Sequence, residues 1–172
     1  MTTDPALFSA VELVGRYRRR QLSPVEATKA ALDRIERFDG AVNAFSLVEP
    51  ETALAGARAS EDRWHRGEPI GLLDGVPTTI KDIVLTKGWP TLRGSRTIPR
   101  DQPWDEDGPA TARLREHGAV LLGKTTTPEF GWKALTDSPL TGVTRNPWDV
   151  TKTPGGSSGG AAAACALGMG AL

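Results

Sequence analysis

The segment Thr153 to Gly160 reads TPGGSSGG and runs without a break into AAAACALGMGAL. Four glycines around two serines would suit a flexible linker, but a linker is not normally followed by an apolar, alanine-rich stretch compatible with a helix. Paired glycines allow unusual dihedrals and close backbone approach. A serine at a helix start is a natural N-cap, facing free N–H groups and the positive end of the helix dipole. The stretch therefore demands a tight glycine turn from which a helix begins. Ser157 and Ser158 have two readings at this junction, as caps of that helix or as members of a site.

Upstream, helical and strand patterns alternate. Ser9-Ala-Val-Glu12 is a capping box, with Leu13 and Tyr17 on one face of the helix that follows. LSPVEA repeats the device, with Ser23 as N-cap, Pro24 at the first helical position and Glu26 as the reciprocal cap. Val25, Thr28, Leu32 and Ile35 form the inward stripe of this second helix, and Gly40 is its expected stop. Ala41 to Val48 reads as a strand and Pro50 to Arg66 as a third helix. Gly75 to Gly88, GVPTTIKDIVLTKG, reads as a buried strand. PATARLREHG is a short helix ending at Gly118, Ala119 to Leu122 a buried strand, TPEFGW a helix or turn, and Thr144 to Gly156 a loop. This alternation predicts an α/β layered fold with a parallel or mixed sheet. No repeat or linker divides the chain, so residues 1–172 are expected to belong to one domain.

Of 172 residues, 38% are hydrophobic and 24% charged, which supports a globular core rather than disorder. Twenty-one basic residues balance twenty-one acidic ones, arguing against a broad basic surface for nucleic acid or an anionic membrane. The run Arg16 to Arg20, RYRRR, is the one local exception and reads best as a solvated helix face. Cys165 alone cannot form an internal disulfide and reads as a small buried thiol. No basic-then-apolar leader opens the chain, and the apolar tail 161–172 is too short to span a bilayer. A cytoplasmic protein is the expectation.

Several motifs fail on physical grounds. Gly118 to Thr125, GAVLLGKT, fits the phosphate-loop pattern, but a phosphate loop needs N–H groups wrapped in a solvated turn. Ala, Val, Leu and Leu want a buried strand, which leaves Gly118 as a helix C-cap and Lys124 near a strand end. His65 and His117 sit among charged residues, without partner spacing for a metal or a serine, and no metal or cofactor is expected. Lys81 lies in the apolar run TTIKDIVL. It either pairs with Asp82 or ends the strand exposed, or else burial lowers its pKa and makes it a base.

Taken together, GVPTTIKD, GKTTTPEFGW, TRNPWD and TPGGSSGGAAAA resemble, in order and spacing, the amidase signature family. The resemblance covers most of the chain and is weakest over the first forty or so residues. It implies amide hydrolysis or transfer by a Ser–Ser–Lys triad. Lys81 matches the family's lysine base and Ser157 its bridging serine, which in the family follows a cis peptide bond. Gly155, Gly156 and Ser158 are implied to support the loop next to substrate. The nucleophilic serine is implied to lie roughly two dozen residues after the bridging serine, beyond Leu172, together with the oxyanion glycines. The chain thus reads as an N-terminal portion, expected to be inactive alone.

The expected partners are a small amide substrate and either the remaining C-terminal portion or a second copy; nucleic acid and membrane are not expected. A glutamyl-tRNA amidotransferase A-type subunit is the alternative within the family. A non-catalytic binding or scaffold fragment that keeps the fold is the alternative outside it.

Overall fold

A computed structural model describes residues 3–172. Its centre is one strand, β3 (Val120–Thr125), every residue of which is buried. β1 (Phe45–Val48) pairs with β3 antiparallel and β2 (Pro77–Lys81) pairs with it in parallel, giving a mixed sheet of order β1-β3-β2. The outer edge of β2 is occupied by the tail: Ala171 N donates to Pro77 O at 2.9 Å and Thr79 N to Leu172 O at 2.9 Å. A two-residue hairpin, β4 (Asp137–Ser138) and β5 (Gly142–Val143), stands apart from this sheet.

Helices α1 (Ala10–Arg18) and α2 (Pro24–Val42) both begin with the expected capping boxes, at Ser9/Glu12 and Ser23/Glu26. α3 (Pro50–Arg66) has the predicted bounds, and α4 (Pro109–Glu116) ends just before Gly118, whose φ of +79° makes it the left-handed residue after the helix. α5 (Gly159–Ala166) follows the serine pair. One face of the sheet packs Val120 and Leu122 against Ile35, Ala53, Ala57, Ala163 and Met169 from α2, α3 and the α5 region. The opposite face gathers Ile80, Leu121 and Trp89 under α4 and the long segment after β2.

Some boundaries differ from expectation. α2 passes Gly40 to reach Val42 and stops at Asn43, which adopts the left-handed conformation with φ +53°. Residues 41–42 are therefore helical and only Phe45–Val48 is strand. Within the α2 stripe Thr28 and Ile35 are buried, but Ala27 and Ala31 share that face while Val25 and Leu32 are half-covered. β2 ends at Lys81, where its ladder against β3 ends and the chain turns, so Asp82 to Gly88 is not strand. Cys165 is exposed on α5, not buried. In the arginine run, Arg16 stacks over Phe8 at 4.0 Å, Arg19 binds Gln21 and Arg20 reaches the His65 carbonyl.

The β2–β3 register contains one irregularity with large consequences. Thr78 pairs with Leu121 but Thr79 with Gly123, leaving Leu122 as an extra residue. An extra residue reverses the alternation of faces beyond it. Lys124 therefore points to the Ile80 side instead of the helical side that Val120 and Leu122 occupy.

Leu122 is fully buried at the centre. Leu122→Ala is expected to lower stability by about 2–5 kcal/mol, as cavity-forming substitutions do. Val11→Ala at an exposed position should stay within about 0.5 kcal/mol. Urea unfolding of both variants checks the contrast.

Candidate active site

Lys81 is the last residue of β2, and the polypeptide brings the 157–158 turn to it from across the sequence. Its Nζ lies 2.7 Å from Ser157 Oγ and 3.0 Å from Ser158 Oγ. Both hydroxyls accept from Lys81 when it is an ammonium; when it is neutral, the same separation lets a serine O–H donate to Nζ. Among the described residues no carboxylate forms an ion pair with Lys81. Adjacent residues at the end of a strand face opposite sides, so Asp82 turns the other way and engages Lys124 at 3.5 Å. Partial burial pushes the Lys81 pKa below its ordinary value, toward what a base at neutral pH requires.

The turn that carries the serines is fixed from outside. The Gly156–Ser157 peptide bond is cis. Gly155, with φ +86°, gives its carbonyl to Thr136 Oγ1 at 2.9 Å. The same Thr136 Oγ1 accepts from Gly159 N at 3.0 Å, capping the start of α5. Ser158 stands at the N-cap position of α5 but makes no side-chain cap bond. Its hydroxyl is thus free to meet Lys81. Gly156 has no room for a side chain, because a Cβ would come within 2.7 Å of the Ala134–Leu135 peptide.

A third segment closes one side. Glu129–Gly131 forms a single 3-10 turn in which Phe130 has φ +52°. A Cβ on Gly131 would reach Ile83 Cδ1 at 2.8 Å and approach Ser157 Oγ at 3.9 Å, so this backbone walls the serine. Phe130 and Trp132 project outward, half and almost wholly exposed, beside a cavity that Glu129, Lys133, Asp137 and Ser138 also line. The structure thus brings together Lys81, Ser157, Ser158, Gly155 and Gly156. Sequence reasoning misses Thr136 and Gly131. Thr136 carries no local signal, since its two partners lie 19 and 23 residues away.

Lys124 is no phosphate ligand: GAVL forms the end of a turn and buried β3, and its ammonium is enclosed. His65 and His117 are both exposed, and His117 Nδ1 accepts from Leu72 N. Among the described residues no group of three His, Cys, Asp or Glu side chains could hold a metal, and no helix is long and apolar enough to cross a membrane.

A lysine at a strand end, held against a serine that follows a cis peptide bond, sits on a fold shared with known enzymes. The chain belongs to the amidase family, whose family model matches residues 26–172. It is 46% identical over 164 residues to the A-type subunit of a glutamyl-tRNA(Gln) amidotransferase from Salinispora tropica, covering 95% of this chain and 33% of that protein. A crystal structure of an amidase superposes with TM-score 0.88 at 35% identity, over 95% of this chain and 37% of its own. A bacterial aryl acylamidase of the amidase signature family does so with TM-score 0.85 at 37% identity, over 91% of this chain and 33% of its own. The α/β fold is that of these enzymes, and the chain spans about a third of the length of the relatives it matches.

The cap assignment makes a discriminating prediction. Ser23→Ala should cost about 1 kcal/mol because it removes a made N-cap bond. Ser158→Ala should leave stability within about 0.5 kcal/mol. Thr136→Val, which orphans the buried Gly159 N–H, should cost about 1–3 kcal/mol and speed amide exchange at Gly159. Thermal melts and hydrogen exchange of the three variants measure this directly.

Proposed function

We propose that Lys81 and Ser157 are the base and the proton relay of an amide hydrolase acting through a Ser–Ser–Lys triad. The observation that carries this reading is the 2.7 Å contact between Lys81 Nζ and Ser157 Oγ, with no carboxylate among the described residues competing for the lysine. A serine hydroxyl is a weak nucleophile until a base takes its proton. The chain has only two histidines, and both are remote from the contact, so a neutral Lys81 is the available base.

In the cycle, the nucleophile's O–H proton passes to Ser157 Oγ while the Ser157 proton moves to Lys81 Nζ. The nucleophile's oxygen bonds to the amide carbon. Return of the proton through Ser157 to the leaving nitrogen allows the C–N bond to break and the amine to depart. Water opens the resulting acyl-serine: its oxygen bonds to the acyl carbon while its proton passes through Ser157 to Lys81, and the relay then returns that proton to the nucleophile's oxygen as the ester C–O bond breaks and the acid departs. Ser158 and the Gly155–Gly156 turn hold the relay oxygen in place. The nucleophile is assigned, by the family pattern, to sequence following Leu172. The domain is therefore read as the N-terminal part of a single amidase unit, placed in the cytoplasm.

In a protein that carries this chain with the nucleophile segment, Ser157→Ala and Lys81→Ala are each expected to lower kcat on a simple aryl amide by about 10²–10⁴-fold, the range for loss of acid–base assistance. The 172-residue chain alone should give no turnover. Turnover by the chain alone that Ser157→Ala abolishes, or full activity of the Ser157→Ala protein, sinks the reading.

A second reading is specifically favoured by the 46% identity to an amidotransferase A-type subunit. There the same relay would release ammonia from a carboxamide for transfer, in company with partner subunits. Co-purification with such subunits and ammonia release from glutamine distinguish it from a free-standing amidase.

A further inference from the structure

On the opposite face of the sheet from the Lys81–Ser157 contact lies a buried ion pair that the proposed chemistry does not use. Lys124 is fully buried and Asp82 almost so. The Lys124 ammonium lies 3.5 Å from Asp82 Oδ1 and donates to Val84 O at 3.0 Å and to Thr91 Oγ1 at 2.5 Å. Asp82 in turn accepts from Leu92 N at 3.2 Å and Gly94 N at 3.4 Å. Among the described residues, the one other charge that acts on Lys124 is the Arg93 guanidinium, which opposes its protonation. Val84, Thr91, Leu92 and Gly94 thus converge on two side chains.

That segment reaches the relay. Arg93, in the left-handed region with φ +55°, gives its carbonyl to Phe130 N at 2.8 Å. Ser95 Oγ donates to Glu129 Oε1 at 2.7 Å. Residues 129–131 in turn lie against Ile83 and Ser157 Oγ. Lys81 immediately precedes the clamped residue, and Asp82 N still bonds to Thr125 O at 2.9 Å. The ion pair is therefore connected to both ends of the Lys81–Ser157 contact, through β2 on one side and the 129–131 turn on the other.

We propose that the Lys124–Asp82 pair is a positioning device: it clamps the turn after β2 so that Lys81 Nζ is held, partly covered, on Ser157 Oγ. This rests on the reading of Lys81 as the base. An isolated buried pair contributes little net stability, but breaking one leaves an uncompensated charge that must find water. Losing either partner should admit water to the turn and free the end of β2.

The test is a titration of the 172-residue chain labelled with [13Cε]lysine, with Lys81 assigned by Lys81→Arg. In the unsubstituted chain the Lys81 midpoint should fall below the ordinary 10.5. A midpoint at that ordinary value sinks the base reading itself. Lys124→Met and Asp82→Asn should both raise the Lys81 midpoint toward the ordinary 10.5 as water re-enters. A field effect gives a different pattern. Removing a nearby cation raises a lysine's midpoint, whereas removing a nearby anion lowers it. Opposite shifts in the two variants, or no shift in folded protein, overturn the proposal while leaving the base reading standing. Thr91→Val keeps both charges and removes one ammonium acceptor; it should raise the midpoint less, in the same direction. That variant decides the matter if the charge variants fail to fold, and an unchanged midpoint in it then overturns the proposal.

Discussion

The extra residue in β3 determines what each face of this protein does. Strands buried on both faces usually carry apolar side chains throughout. β3 starts that way, with Val120 and Leu122 toward the helices and Leu121 toward the opposite layer. Because β2 skips Leu122, Lys124 falls in register with Ile80 and Thr125 with Lys81. Without the skip, Lys124 would point into the largely apolar layer of α2, α3 and α5. With it, one lysine is delivered to a polar interior, bonding Val84 O and Thr91 Oγ1 and paired with Asp82, and the other faces the serine turn. The two lysines therefore do different work from adjacent strands: one is enclosed and paired with a carboxylate, the other half-covered and held by hydroxyls.

The start of α5 shows a comparable division. A serine oxygen that caps a helix is occupied by backbone N–H groups and oriented by them. The same oxygen cannot also be aimed at a lysine on the neighbouring strand. Here Thr136, from a separate loop, supplies the cap to Gly159 and ties Gly155 at the same time. A hydroxyl that would otherwise serve the helix is thereby released to face Lys81. The lack of space at Gly156 belongs to the same arrangement, since the turn lies directly on the Ala134–Leu135 backbone.

Legibility in the sequence follows locality. Both capping boxes, the bounds of α3 and the Gly118 terminator depend on residues within a turn of one another, and all are readable. So is the rejection of GAVLLGKT, because four apolar residues cannot make a solvated phosphate loop. Strand ends are not readable: β2 stops at Lys81 where its pairing to β3 stops, and no residue type near Lys81 announces that. The choice between Lys81–Asp82 pairing and a free Lys81 is open in the sequence because the partner of Asp82 lies far along the chain, at Lys124. Thr136 is of the same kind. Cys165 shows the opposite failure, where an apolar run suggests burial but its position on α5 faces outward.

The origin of the lowered Lys81 pKa has a directional consequence. Desolvation is its cause, with no charge acting alongside. A shift made by a charge would persist when water arrives, weakened but with its sign intact. A shift made by burial tracks coverage alone: whatever further covers Lys81 and Ser158 lowers it more, and whatever opens the turn after β2 abolishes it. Lys124 differs in having charges beside it. Burial lowers it to about 8 against the pull of Asp82 in the other direction, so its protonation follows both its burial and the integrity of the pair. As the proposed base, Lys81 needs walls that do not move: the serine turn is fixed by Thr136, and in the proposed clamp the segment after β2 is fixed by Lys124. On that proposal, the readiness of the lysine to accept a proton is set by packing on the far face of the sheet as much as by the serine it touches.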